Sequence, residues 1–159
     1  MRTMQELTEC YARHRKTVWN ICYSYFLNPA DTEDAVEDTF LRYIESSRSF
    51  ADKNHEKAWL IVTARNVCKD ELKRARRKNV SLEQAGELPA ATDEKTELLS
   101  AIQSLPDQQK TAVYLHYYEG YSCAEIAAIL RRRESTVRSD LRRARLTLKA
   151  RIGGYKDEG

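Results

Sequence analysis

Apolar residues recur at intervals of three and four along nearly the whole chain, and no long alternation of β-branched residues interrupts them, so the pattern predicts an all-α protein. The first run places Leu7, Tyr11, His14, Val18, Ile21, Cys22 and Tyr25 on one helical face, and Asn28-Pro29 closes it. Asp31 or Thr32 can cap the next helix, whose stripe is Val36, Phe40 and Tyr43 or Ile44, while Asp34, Glu37, Asp38 and Arg42 project elsewhere. Residues 46–54 form a polar connection relieved by Phe50. Asn54 is the expected cap of a long helix with Trp59, Val62, Val67 and Leu72 among its apolar positions.

Residues 79–93 break this rhythm with Gly86, Pro89, scattered alanines and three acids without a base, so they read as a flexible acidic linker. Fully extended it could reach about 50 Å. The chain is therefore divided into a helical domain at 1–78, the linker at 79–93 and a second helical domain at 94–152. In that second domain Leu98, Leu99, Ile102 and Leu105 mark a helix ending near Ser104, and Pro106 suits the first turn of the next. That helix runs through Ala112, Val113 and Tyr117 to a stop at Gly120. Ser122 with Glu125 is a capping box ahead of Ile126, Ala127 and Leu130. A short basic connection, residues 131–133, leads to a last helix with Val137, Leu141, Ala144 and Leu148 on one stripe. Helix, tight turn and helix at this spacing is a helix-turn-helix.

Charge sharpens the picture because it is sorted along the chain. Residues 131–151 hold nine Lys or Arg against Glu134 and Asp140, a net +7, whereas the whole chain is only +3. Such sorting argues for a polyanion partner at defined places. Arg138, Ser139, Arg142, Arg143 and Arg145 lie off the apolar stripe of the last helix. Arginine forks grip phosphate or read guanine, and residues early in a recognition helix reach base edges. Thr136, Arg138 and Ser139 therefore suit base reading and Arg145 suits the backbone. An ordinary solvated basic helix would carry the same charge.

A second basic track, Arg65, Lys69, Lys73 and Arg76, follows Trp59 at steps of four, four and three. Asp70 and Glu71 interrupt it, so it reads either as a phosphate-tracking edge or as a salt-bridged surface. Asn66 can present its amide to a base or bridge helices, and Trp59 suits the core better than a stacking platform. Residues 31–45 carry six acids and one base, and face either a basic protein or solvent.

Other classes find little support. The chain has no GxGxxG, P-loop or HExxH, its three histidines stand apart, and Cys123 beside Glu125 lacks a base, so no enzyme is expected. Four scattered cysteines without a CxxC suit reduced thiols. Cys10 and His14 stand one helical turn apart, but a zinc site needs two further ligands, and neither metal nor cofactor is expected. No apolar run approaches about 18 residues and the N-terminus is polar, so a cytoplasmic protein without membrane insertion is expected.

Several blocks together resemble the extracytoplasmic-function (ECF) sigma factors of bacterial RNA polymerase. They are residues 31–40 (DTEDAVEDTF), 59–66 (WLIVTARN) with 70–74 (DELKR), Leu105-Pro106, 118–122 (YEGYS) with 124–127 (AEIA), and 135–139 (STVRS) with Leu141, Arg143 and Ala144. The resemblance runs from about Tyr11 to Lys149. It implies a two-domain initiation factor that directs core polymerase to promoters. Asp34, Glu37, Asp38, Leu41 and Arg42 would dock on the clamp helices of the largest subunit, with the flap as a further polymerase contact. The loop at 52–55, including His55, and Arg65, Asn66, Lys69, Lys73 and Arg76 would recognise and melt the minus-10 element by capturing a flipped base. Thr136, Arg138, Ser139, Arg142 and Arg143 would read the minus-35 element. The linker would pass near the RNA exit path, and an anti-sigma factor would be a further partner. Three positions depart from the family: Arg131 stands where Gly is usual, Arg133 where a capping residue is usual, and Asp140 where a base is common. The competing function is a stand-alone helix-turn-helix regulator that binds duplex DNA without polymerase, and a protein-binding adaptor is a third.

Overall fold

The computed structural model describes residues 2–77 and 101–152, in which every regular element is helical. The expected linker, with Leu98 and Leu99, lies outside the described residues. The helices are α1 (Met4–Phe26), α2 (Pro29–Glu45), α3 (Lys53–Arg77), α4 (Asp107–Val113), α5 (Cys123–Leu130) and α6 (Glu134–Ile152), with a π-helical turn at Tyr114–Tyr118 extending α4. They form two compact units, α1 to α3 and α4 to α6.

Side-chain caps set the helix starts in the first unit. Thr3 and Glu6 make a reciprocal capping box on α1, at 3.1 and 2.9 Å. The helix stops at Leu27, whose left-handed backbone (φ 58°) lets its N–H reach the Tyr23 carbonyl at 2.8 Å. Asn28, rather than the expected Asp31 or Thr32, caps α2: its Oδ1 accepts the Asp31 N–H at 2.8 Å. Pro29 fills the first helical position, where a missing N–H costs nothing, and Thr32 turns its hydroxyl back to the Asn28 carbonyl at 2.7 Å. Asp52, not Asn54, starts α3 by accepting the His55 N–H at 2.9 Å.

The three helices pack pairwise on one another. Val18, Ile21 and Tyr25 meet Val36, Phe40 and Tyr43, and α3 adds Leu60, Ile61 and Ala64, all buried. Each such Leu or Ile contributes about 1.5–3 kcal/mol by leaving water. Of the expected apolar positions of α3, Val67 is buried while Trp59, Val62 and Leu72 are only half-buried, and the buried side runs through Leu60, Ala64, Val67 and Cys68. Tyr11 also departs from the expected core: it is 44% exposed and packs its ring edge-on against Phe40 at 5.0 Å.

In the second unit residues 101–103 are helical and the chain turns at Ser104, as the pattern predicts. Pro106 is extended (φ −61°, ψ 149°) and sits just before α4 rather than in its first turn. Tyr114 stacks on Tyr118 at 5.1 Å and donates its hydroxyl to Glu119 Oε2 at 2.6 Å across the π turn. Gly120, at φ 81°, reverses the chain there, and the Tyr121 N–H reaches the Leu115 carbonyl at 3.0 Å. The expected Ser122–Glu125 box is present at 3.1 and 2.9 Å. Ile126, Val137, Leu141 and Ala144 then bury the α5–α6 seam against Leu115 and Val113. The fold is all-α and its second unit ends in a helix-turn-helix.

Candidate polymerase and nucleic-acid interfaces

On α2 the positions 34, 37, 38, 41 and 42 repeat at helical spacing opposite the buried Val36, Phe40 and Tyr43. Asp34, Glu37, Asp38, Leu41 and Arg42 are therefore all exposed on one face. Leu41 is 52% exposed among the acids, an apolar point inside an anionic surface. Arg42 approaches Asp70 of α3 at 3.7 Å, a solvent-exposed pair of small energetic weight.

That pair and its neighbour decide how the α3 charges are used. Glu71 holds Arg74, whose pKa is raised chiefly by this hydrogen bond. The two acids that interrupt the basic track thus engage Arg42 and Arg74. Arg65, Lys73 and Arg76 form no ion pair with the described residues; Lys73, Arg76 and Asn66 are exposed, and Lys69 is half-buried. Arg65 is half-buried too, with its Nε buried and without a hydrogen bond. His55, in the first turn of α3, is exposed, its Nδ1 2.8 Å from Asp52 Oδ1. The His55 hydrogen bonds, first that of its backbone, hold the Asp52 carboxyl below its ordinary range. Trp59 packs against Phe50 and Tyr43, at centroid distances of 5.8 and 6.3 Å. The Arg2 guanidinium covers the outer side of this cluster, 4.3 Å from the Tyr43 ring. Trp59 therefore fastens the 46–52 loop to α3 rather than filling the centre of the core.

The helix-turn-helix has its own internal wiring. Arg131 takes the left-handed conformation (φ 56°, ψ 53°) with its N–H on the Ala127 carbonyl, so the turn keeps the geometry that Gly favours and carries the strain. Arg133 begins α6 with its backbone carbonyl, which accepts the Thr136 and Val137 N–H groups at 3.0 and 3.1 Å. Asp140 is 5% exposed. It binds Arg132 at 3.1 Å, and the same guanidinium nitrogen donates to the Gln108 carbonyl at 2.9 Å, tying α6, the turn and α4 together. Arg143 reaches Asp140 only at 3.9 Å and stays largely exposed.

On the outer side of α6, Thr136, Arg138, Arg142 and Arg143 are exposed and Ser139 is half-buried. Arg138 pairs with Glu134 one turn earlier, an exposed contact that a phosphate could replace. Arg142 has no ion pair among the described residues. Arg145 donates to the Tyr117 hydroxyl at 3.0 Å, which fixes it against the π turn. With His116 and Cys123, residues Arg138, Ser139, Arg142 and Arg145 line an open cleft between the start of α5 and α6. The arrangement is a basic ridge with hydroxyls among the guanidinium groups, suited to phosphate and base edges. Sequence reasoning missed Arg132, His116 and Tyr117 here; nothing in the charge run distinguishes Arg132 from Arg131 and Arg133.

No described helix is long and apolar enough to cross a membrane. Residues 10–78 match the Sigma-70 region 2 family and residues 95–148 match Sigma-70 region 4. The ECF RNA polymerase sigma factor SigL of Mycobacterium tuberculosis is 33% identical over 153 residues, which cover 87% of this chain and 86% of that protein. SigM of the same organism is 29% identical over 155 residues, covering 95% and 79%. Among solved structures, the sigma factor RpoE in complex with the anti-sigma factor NepR from Bartonella quintana shares the fold at a TM-score of 0.75 and 22% identity, over 96% of this chain and 100% of that one. With both sigma regions in order and the SigL likeness spanning most of either protein, the chain belongs to the ECF sigma factors, non-catalytic transcription factors that bind RNA polymerase and direct it to promoters.

Proposed function

We propose that this sigma factor divides its work between residues 1–78 and 94–152, joined by 79–93. The exposed anionic face of α2, with Asp34, Glu37, Asp38, Leu41 and Arg42, docks on the clamp helices of core polymerase, Leu41 supplying apolar contact and the acids orientation. Arg65, Asn66, Lys69, Lys73 and Arg76, with His55 at the loop, engage and open the minus-10 element. Thr136, Arg138, Ser139, Arg142 and Arg143 read the minus-35 duplex, while the second unit also meets the polymerase flap. The observation that carries this reading is the segregation of exposed charge, with acids alone on the outer turns of α2 up to Asp38 and exposed bases along the later turns of α3 and along α6. The protein works in the cytoplasm without membrane insertion. An anti-sigma factor holds it inactive by covering these faces; the RpoE structure that shares the fold is itself a complex with an anti-sigma factor.

Transcription by purified core polymerase on a library of genomic fragments, with and without the protein, tests the reading directly. Initiation at a defined set of start sites only when the protein is added is the expected result. Tight binding of isolated duplex without polymerase, and no added start sites, would instead favour a stand-alone regulator. Asp38→Arg is expected to weaken core association more than about 10-fold through like-charge contact. Arg142→Ala should reduce the salt dependence of holoenzyme binding to promoter DNA by about one counterion and leave core association unchanged.

A further inference from the structure

Inside the first unit, three residues capable of binding a metal converge. Cys10 and His14 lie one turn apart on α1, and Glu56 enters from the first turn of α3. Their donor atoms all lie within 4.8 Å of one another and all three residues are buried. His14 Nε2 is 2.9 Å from Glu56 Oε1. The sequence offered Cys10 and His14 as a helical pair and no third ligand; the fold supplies it.

We infer that Cys10, His14 and Glu56 form a zinc-binding site with a fourth position open to water. Sulfur, imidazole nitrogen and carboxylate oxygen are the ligands this ion accepts in tetrahedral geometry, at about 2.0–2.3 Å. The donors, all within 4.8 Å of one another, must draw in around the ion to reach those distances. Arg13 donates to Glu56 Oε1 at 2.8 Å and the Tyr43 hydroxyl to Oε2 at 3.1 Å, so the carboxylate is held in orientation from α1 and α2. An open cleft of about 300 Å³ reaches Glu56 from solvent past Arg13 and Tyr43, with Glu6, Glu9 and Asp52 among its lining residues. Of the three proposed ligands Glu56 alone lines it, so the cleft opens on the carboxylate side of the site.

Binding replaces the Cys10 S–H bond with a metal–sulfur bond and releases that proton to solvent. His14 contributes the lone pair of one ring nitrogen and keeps its single proton on the other, giving up the hydrogen bond to Glu56, and Glu56 contributes an ionised oxygen, so one thiol proton leaves per ion. Burial makes the free thiol a weak acid, with its pKa pushed up to about 11, and the ion would reverse that. The bound metal would clamp α1 to the start of α3, beside the Asp52 cap and the 46–52 loop. The site does not depend on the promoter reading, and polymerase is not needed to test it.

The full-length chain, reduced and stripped with chelator, is titrated with zinc and separately with cobalt(II). One ion per chain and a thiolate-to-cobalt charge-transfer band are expected. Cys10→Ser should abolish the band and weaken zinc binding more than about 100-fold, beyond the loss typical of a residue that only hydrogen-bonds a ligand. Cys123→Ala should keep both, and His14→Gln repeats the test should the serine variant unfold. Absence of a stoichiometric ion, absence of the cobalt band, or binding that survives Cys10→Ser and disappears in Cys123→Ala would overturn the site.

Discussion

Each unit buries one acid among the described residues, Glu56 in the first and Asp140 in the second, and each makes it a junction of three elements. Glu56 gathers Arg13 and His14 from α1 and Tyr43 from α2 onto α3. Burial alone would raise its pKa, but the hydrogen bonds from Arg13, His14 and Tyr43 outweigh that and leave it lowered. Asp140 hydrogen-bonds Arg132, which in turn holds the Gln108 carbonyl, and keeps Arg143 at a looser 3.9 Å. The first junction sits inside a three-helix body and positions the whole unit. The second lies under a recognition helix and uses one arginine of a basic run, leaving Arg142 and Arg143 facing outward. Two carboxylates of similar burial thus separate structural charge from charge available to a partner.

Removing each acid should expose that difference. In chelator-stripped protein, Glu56→Ala is expected to cost about 3–5 kcal/mol, since Arg13, His14 and Tyr43 all lose their acceptor. Urea denaturation monitored by Trp19 and Trp59 reports on this unit, because both tryptophans lie in it. A cost below about 1 kcal/mol would mean that water replaces the carboxylate and the junction is not structural.

Asp140→Ala comes next, at about 2–3 kcal/mol, since Arg132 keeps the Gln108 carbonyl when its carboxylate is gone. Its signature is expected in promoter binding as well: minus-35-dependent initiation should fall while core association is retained. Replacing Arg132 and Asp140 together by leucines should recover much of the stability, as buried ion pairs often tolerate apolar replacement. A double variant no better than Asp140→Ala would show that the turn needs the Gln108 contact rather than the pair.

Much of this architecture was legible because it follows from periodicity. The apolar stripes of α2 and α6, the Ser122–Glu125 box and the exposed α2 acids all follow from 3.6-residue spacing. The buried acids were legible in principle too. Glu56 stands at the head of the stripe continued by Leu60 and Ala64, and Asp140 falls between Val137 and Leu141, so each is an acid at a core position. Their partners were not, because pairing across 8 to 43 residues depends on how helices cross. The caps at Asn28 and Asp52 were misplaced for a related reason: several adjacent Asn, Asp and Thr residues can each cap, and backbone geometry at the junction selects one. The π turn leaves no periodic signature at all.

The smallest effects concern two helix ends that share a backbone conformation and differ in burial. Leu27 after α1 and Arg131 after α5 both stand at positive φ, 58° and 56°, where a side chain costs about 1–2 kcal/mol. Leu27 is buried, and Arg131 is exposed. Glycine relieves the strain at either site but gives up side-chain burial only at the first, and it adds unfolded-state entropy at both. Leu27→Gly should therefore be destabilising by about 2 kcal/mol, whereas Arg131→Gly should stabilise by about 0.5–1 kcal/mol. Opposite shifts in thermal midpoint would establish that the αL residue of the first unit is kept for its packing. The arginine in the turn is then retained for its charge, at the edge of the helix proposed to meet DNA. If Arg131→Gly instead lowered stability, the guanidinium would have to be holding the turn itself, and Asp140 with Arg132 would no longer account for its geometry alone.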